Sequence, residues 1–307
     1  MLQANNIKKT FNKKIKALRG VSVEVGGQAS VGLVGESGCG KSTLAKIICR
    51  LEDADAGSLL LDGVDYTGVN QRKMRGLRQR IQIIFQDNSG SLDPRRTVYQ
   101  SLEEPLDNYK KLDGAAKREV IEGLLEQVAL GREEAGKYPH QLSGGQRQRV
   151  VIARALALEP QYIICDEPVS SLDAEVQQPI LELLSQLQRE RGIGYLFISH
   201  DIGVTMEFCR KIYVMYAGLV VEELFSDDIA RRAAHPYTRL LFSSALENHC
   251  DCEAVSLFSG NAKAGCPYHV QCPHRIAICE TQIPDLAGDE NHKIACFNPA
   301  GEGHFHA

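Results

Sequence analysis

"QASVGLVGESGCGKSTLAKIICRL", residues 28–51, decides the fold. It opens on an apolar run, Ala29 to Val34, that reads as a short buried strand, and passes through a glycine-rich turn. Apolar residues then recur at Leu44, Ile47, Ile48 and Leu51, the spacing of one helix face. Strand, loop and helix in that order, around GxxxxGK(S/T), form a phosphate-binding loop. Gly35, Gly38 and Gly40 let the backbone curl, so that successive N–H groups, with Glu36, Ser37 and Cys39 between the glycines, surround phosphate oxygens. The helix that follows points its positive end at the same place. Lys41 is set to reach the β- and γ-phosphates of a nucleotide, Ser42 to hold Mg2+, and Thr43 continues the first turn. Cys39 reads as a small side chain inside the loop, not as a nucleophile.

The flanks extend the pattern. "IKALRGVSVEVGG" (15–27) alternates apolar and polar residues as a half-exposed antiparallel strand does, and "GSLLLDGVDY" (57–66) offers another strand beside a turn. "YIICDEP" (162–168) and "GYLFISHD" (194–201) are brief β-rich runs between helical stretches, as parallel strands of an α/β sheet are. The region from about 95 to 160 reads as helical and is expected to be inserted into that sheet domain. A carboxylate at the end of a parallel strand projects into the crevice where such sheets bind ligands. Asp166 is therefore a candidate for ordering magnesium and Glu167 for polarising the attacking water, as phosphoryl transfer to water requires.

Composition bounds the rest. The chain has 307 residues, 43% of them hydrophobic, enough for a sizeable core. A net charge of -4 offers no basic field, so nucleic acid is not expected as a partner. No apolar run approaches a membrane span and the start carries no apolar signal segment, so the expected compartment is the cytoplasm. Ten cysteines in a chain of this length fall far below disulfide-scaffold density, which favours thiols or thiolate ligands. Six of the ten lie in the last 59 residues.

"LSGGQRQR" (142–149), followed by helical "VVIARALALEP" and then by "YIICDEP", resembles the signature segment of ATP-binding cassette (ABC) ATPases. That resemblance covers about residues 1–245. It implies an α/β P-loop NTPase fold, RecA-like, with an inserted helical subdomain. It also implies ATP with Mg2+ as cofactors. Ser143, Gly144, Gly145 and Gln146 would then form a second anion cradle, closing on ATP held by the phosphate loop of another cassette. Gln86, in "IIFQD", resembles the glutamine that reaches magnesium and the attacking water. Asp173, in "SSLD" (170–173), resembles part of the loop that crosses the dimer interface. His200 resembles the switch histidine at the γ-phosphate, and Phe11 stands where the family offers an aromatic ring to adenine.

"IFQDNSGSLDPRRTV" (84–98) and "HPYTRLLFSSAL" (235–246) are similar to the oligopeptide, dipeptide and nickel branch of ABC importers. The branch implies a peripheral subunit at the cytoplasmic face of the cell membrane. Its partners would be a second cassette, identical or not, two transmembrane permease subunits and an extracytoplasmic solute-binding protein. A soluble, nontransport ABC ATPase whose C-terminal cluster senses redox state or metal is the alternative.

Residues 246–307 are expected to be a small cysteine-rich extension. Cys266, Cys272, Cys279 and Cys296, with five, six and sixteen residues between them, are similar to the branch's pattern associated with a 4Fe-4S cluster. Four thiolates also satisfy tetrahedral Zn2+, and plain thiols or redox pairs remain a further reading. Cys250, Cys252, His269, His274 and His292 are competing ligands, and the terminal "GHFHA" is a weak one.

Overall fold

The structure is a computed structural model that describes residues 1–86, 88–170, 172–246 and 264–300. Cys250, Cys252, Ser171 of "SSLD" and the terminal "GHFHA" lie outside the described residues.

The chain begins with β1 (Leu2–Phe11), β2 (Ile15–Val25), β3 (Ser30–Val34), α1 (Lys41–Ile48), β4 (Ala56–Leu61) and β5 (Val64–Asp65). There follow α2 (Gln71–Arg80), β6 (Ile81–Ile84), α3 (Asn88–Ser91), α4 (Val98–Tyr109), α5 (Gly114–Gln127), α6 (Gly144–Leu156), β7 (Tyr162–Asp166) and α7 (Ala174–Arg191). The last stretch holds β8 (Gly194–Ser199), α8 (Ile202–Phe208), β9 (Lys211–Tyr216), β10 (Leu219–Phe225), α9 (Ile229–Arg232), α10 (Pro236–Leu246), β11 (Ala287–Gly288) and β12 (His292–Ile294). Two compact units result: Met1–Val25 with Ser30–Thr67 and Phe197–Ala307, and Gly26–Ala29 with Gly68–Leu196.

In the first unit, β2 alternates as its sequence requires. Leu18, Val21, Val23 and Val25 are buried, Ser22 and Glu24 exposed, and the strand pairs antiparallel with β1. β3 is buried along its whole length and runs parallel to β9, with Val31 opposite Lys211 and Val34 opposite Val214. β9 continues antiparallel into β10, then β12, then β11, so the sheet is mixed. The helix after the loop is shorter than its periodicity suggested. α1 ends at Ile48, Arg50 turns the chain at φ 53°, and Leu51 falls outside the buried face with 53% of its surface exposed.

In the second unit, β6 and β7 pair in parallel, Ile81 opposite Tyr162 and Ile84 opposite Cys165. The helical character expected of about 95–160 is present in α4, α5 and α6. Thr97 and Gln100 make a reciprocal capping box on α4, and Asp113 caps α5 through the Ala116 N–H. α7 stops at Gly192 in the left-handed region (φ 68°), with Arg189 and Arg191 in its last turn where cations favour the helix dipole.

Candidate functional site

The phosphate loop stands between β3 and α1, built as its glycines demand. Gly35, at φ 150°, passes so close to the Met215 carbonyl that an added Cβ would meet the oxygen at 2.2 Å. Gly40 caps α1 in the left-handed region (φ 113°), where a Cβ would strike the Ala17 carbonyl at 2.5 Å. Lys41 is buried, and its Nζ donates to the carbonyls of Gly35 at 2.7 Å and Glu36 at 2.8 Å. The ammonium is thus held inside the loop by carbonyls it can exchange for phosphate oxygens. Cys39 is buried, and burial raises its thiol pKa, in keeping with a packing role. Ser42 and Thr43 occupy the first turn of α1.

In the second unit, β7 ends on Asp166, buried, with Glu167 next. Glu167 has φ 53°, a backbone conformation that a non-glycine residue adopts at a cost and that turns its side chain off the strand direction. Its Oε2 accepts a hydrogen bond from Gln86 Nε2 at 2.6 Å. The structure therefore brings together two residues singled out 81 positions apart in the chain.

The "LSGGQ" segment enters α6 as an N-terminal cap. Ser143 Oγ accepts the Gln146 N–H at 3.2 Å, and Gln146 Oε1 accepts the Ser143 N–H at 3.0 Å. The Ser143 hydroxyl, expected to face a phosphate, is here engaged with its own helix. Gly145 is glycine for packing, since a Cβ would come within 2.5 Å of Val176 Cγ1. Asp173 is the exposed N-cap residue of α7 and makes no side-chain cap bond. His200 is exposed directly after β8, and Phe11 ends β1, half-buried, with Lys9 Nζ 5.2 Å from its ring centroid.

The chain matches the ABC transporter family over residues 18–170 and the oligopeptide/dipeptide transporter C-terminal region over residues 221–279. A probable peptide ABC transporter ATP-binding protein, y4tS of Sinorhizobium fredii, is 40% identical across 96% of this chain and 87% of its own length. This chain belongs to the ABC transporter ATP-binding proteins. The dipeptide transport ATP-binding protein DppF of Escherichia coli is 38% identical, covering 97% of this chain and 94% of its own. Among solved structures, the dimeric ABC transporter cassette MJ0796 aligns at TM-score 0.68 and 31% identity, over 74% of this chain and 99% of that one. The same cassette in a post-hydrolysis state bound to ADP and Pi aligns at TM-score 0.67 and 32% identity, with the same coverage. The fold is that of the ABC cassette, and the chain is an ABC-type ATPase.

The cassette's C-terminal residues join its first unit along a strand. β12 adds antiparallel to β10, with His292 opposite Leu224 and Ile294 opposite Glu222, and the Ala295 N–H donates to the Val221 carbonyl at 2.9 Å. Glu222 is fully buried and fully used. It accepts the N–H groups of Ala234 at 2.8 Å and His235 at 3.1 Å, and His292 Nε2 approaches its Oε1 at 2.7 Å.

Cys266 and Cys279 are buried, Cys272 and Cys296 half-buried, and all four are free thiols. Gly265, at φ 76°, lets the chain pass 2.3 Å, measured from an added Cβ, from the Cys279 carbonyl, which accepts the Cys266 N–H at 2.8 Å. The N–H two residues on is directed at sulfur in three cases: Tyr268 at Cys266, His274 at Cys272 and Asn298 at Cys296. Such bonds favour thiolate, the ligating form, although burial dominates and pushes Cys296 up to about 11. The donor set fits thiolate ligation in kind. Its arrangement does not, because among the described residues no group of three or more His, Cys, Asp or Glu could hold a metal ion. The expected 4Fe-4S cluster or zinc thus finds no preformed site.

Two residues carry more structure than the sequence reading gave them. "HPYTRLLFSSAL" (235–246) served only to mark the branch. In the structure His235 is the N-cap acceptor of α10, its Nδ1 taking the Tyr237 N–H at 3.1 Å, with Pro236 at the first helical position where a missing N–H costs nothing. The signal was available as His-Pro before a helical run.

Proposed function

We propose that this chain is the ATP-hydrolysing subunit of a peptide or dipeptide importer, with nickel the other solute of the same branch. It works at the cytoplasmic face of the membrane with a second cassette, two transmembrane permease subunits and an extracytoplasmic solute-binding protein. The observation that carries the reading is the succession along one chain of the ABC transporter match and the oligopeptide/dipeptide C-terminal match. The relatives' printed functions, peptide and dipeptide transport, support the solute class and do not favour the nontransport alternative. Among the described residues no helix is long and apolar enough to cross a membrane.

The cassette comprises residues 1–245, with the helical subdomain at about 95–160, and the extension residues 246–307. The loop from Gly35 to Thr43 binds the ATP phosphates, with Lys41 on the β- and γ-oxygens and Phe11 on adenine. Ser42, Asp166 and Gln86 would hold Mg2+, which when bound would neutralise charge on the phosphates. Glu167 takes a proton from the attacking water, oriented by its bond to Gln86, and His200 contacts the γ-phosphate. Ser143, Gly144, Gly145 and Gln146, with Asp173, serve the ATP of the partner cassette. Ser143 Oγ can keep accepting the Gln146 N–H while its O–H donates to a phosphate oxygen.

Glu167→Gln tests the assignment. It retains the Gln86 partner but removes the base, so steady-state ATP hydrolysis falls by about 10²- to 10⁴-fold while nucleotide binding persists. Full activity in that variant would dismiss Glu167 as the base. For the extension, Cys266, Cys272, Cys279 and Cys296 would have to draw together from their present arrangement to hold a 4Fe-4S cluster or Zn2+. Iron, sulfide and zinc analysis of anaerobically purified chain decides between them, and absence of all three rejects both.

A further inference from the structure

The C-terminal extension reaches the phosphate loop through a short aromatic path. Tyr237, the second residue of α10, is completely buried, and its hydroxyl accepts the Glu36 N–H at 3.1 Å. That N–H belongs to the peptide unit whose carbonyl, on Gly35, accepts from Lys41 Nζ at 2.7 Å. One peptide plane is thus gripped on its two polar edges, by a tyrosine on one side and by the phosphate-loop lysine on the other. Gly35 itself lies where an added Cβ would meet the Met215 carbonyl at 2.2 Å.

Tyr237 is held in turn. Its ring centroid lies 4.7 Å from that of Tyr216 and 5.5 Å from that of Tyr268, and Tyr268 meets Tyr216 edge-on at 5.3 Å and His235 at 5.8 Å. Contacts of this kind fix ring orientation as well as burying area. Tyr268 comes from the cysteine-bearing extension, two residues beyond Cys266, whose sulfur receives its N–H. The Glu36 carboxyl completes the cluster. Its Oε1 is buried with no hydrogen-bond partner among the described residues; burial raises the pKa values of Tyr216, Tyr237 and Tyr268, and the Glu36 charge adds to it.

We propose that Tyr237 is a positioning residue of the ATP site, and that Tyr268 is the arm by which the extension keeps it in place. When nucleotide arrives, Lys41 leaves the Gly35 carbonyl for phosphate. The peptide plane then loses one of its two restraints, and the Tyr237 hydroxyl keeps the Glu36 N–H from turning. The loop stays in its phosphate-accepting form at no further cost in ordering. The extension thereby contributes to ATP affinity without touching ATP. This deepens the proposed function and rests on Lys41 as a phosphate ligand.

The test is equilibrium binding of a fluorescent ATP analogue, with steady-state hydrolysis, on full-length chain. Tyr237→Phe removes a single oxygen, and the loss of one such hydrogen bond weakens nucleotide binding and raises KM by roughly three- to tenfold. kcat changes less and the thermal midpoint stays with wild type. Tyr268→Ala produces the same KM defect, Tyr268→Phe restores affinity because the ring is what matters, and Tyr237→Phe with Tyr268→Ala is no worse than the weaker single variant. Wild-type KM in Tyr237→Phe, or simple addition in the double variant, overturns the proposal. Lys41→Ala separates the two levels. If it abolishes nucleotide binding while Tyr237→Phe changes nothing, only the positioning role fails; if it leaves binding intact, the phosphate-ligand reading falls and the inference with it.

Discussion

His235 shows how far a single side chain can be committed to the fold. Its Nδ1 must be unprotonated to accept the Tyr237 N–H, and its surroundings agree. Burial lowers its pKa to about 4 against the opposing pull of Glu222, and the other ionisable groups around it are Tyr237, Tyr268 and, through Glu222, His292. Between the unfolded value near 6.5 and about 4, the unfolded chain binds more protons than the folded one, so stability rises with pH through that window. It is complete above about 6.5 and falls by on the order of 3 kcal/mol as pH drops to about 4. Urea unfolding at a series of pH values measures this, and His235→Asn, which keeps a cap acceptor without the titration, flattens the slope. An unchanged slope in that variant would assign the acid sensitivity elsewhere. The titration was not legible in sequence, because Glu222 and Tyr268 meet His235 only through the fold. Gly35, Gly40 and Lys41 were legible, since a loop that presents amides to phosphate tolerates few other residues at those places.

At the scale of elements, legibility followed how local the cause was. β2 and β3 read correctly because alternation and continuous burial are set by strand period alone. α1 read one turn too long, because Leu51 keeps helical spacing while Arg50, in the left-handed region, takes it out of the helix. β11 and β12 were not seen at all. They are two and three residues long; β12 is a strand because it pairs with the edge of β10, supplied from about 70 residues away, and β11 because it pairs with β12. Lys293 and Lys211 both pair with buried Glu223, and Arg232 reaches Asp289, so the strand addition is fastened by charge as well as by its ladder. The sequence reading singled out none of these acids and bases. The cysteines were conspicuous there, yet their spacing alone does not gather them, and the described geometry leaves them short of a metal site.

At the scale of the whole molecule, the proposed site is incomplete in one chain. Ser143 and Gln146 satisfy each other in the isolated cassette, which is the state to expect of an anion cradle with no anion. In the proposed closure the Ser143 O–H, which the cap does not use, and the Gly144 and Gly145 amides would donate charge-assisted bonds to phosphate. The Glu167→Gln chain, able to bind ATP and slow to hydrolyse it, should therefore accumulate as a dimer on size-exclusion chromatography with ATP and Mg2+, and return to monomer with ADP. Adding Ser143→Ala separates cap from cradle. As a lost cap alone it lowers stability by about 1 kcal/mol and leaves the dimer intact; as a lost phosphate contact at both interfaces it removes the ATP-dependent dimer altogether. If the double variant dimerises as readily as Glu167→Gln, Ser143 is only a helix cap, and the closing of one cassette on the nucleotide of another must be carried by the amides of Gly144 and Gly145.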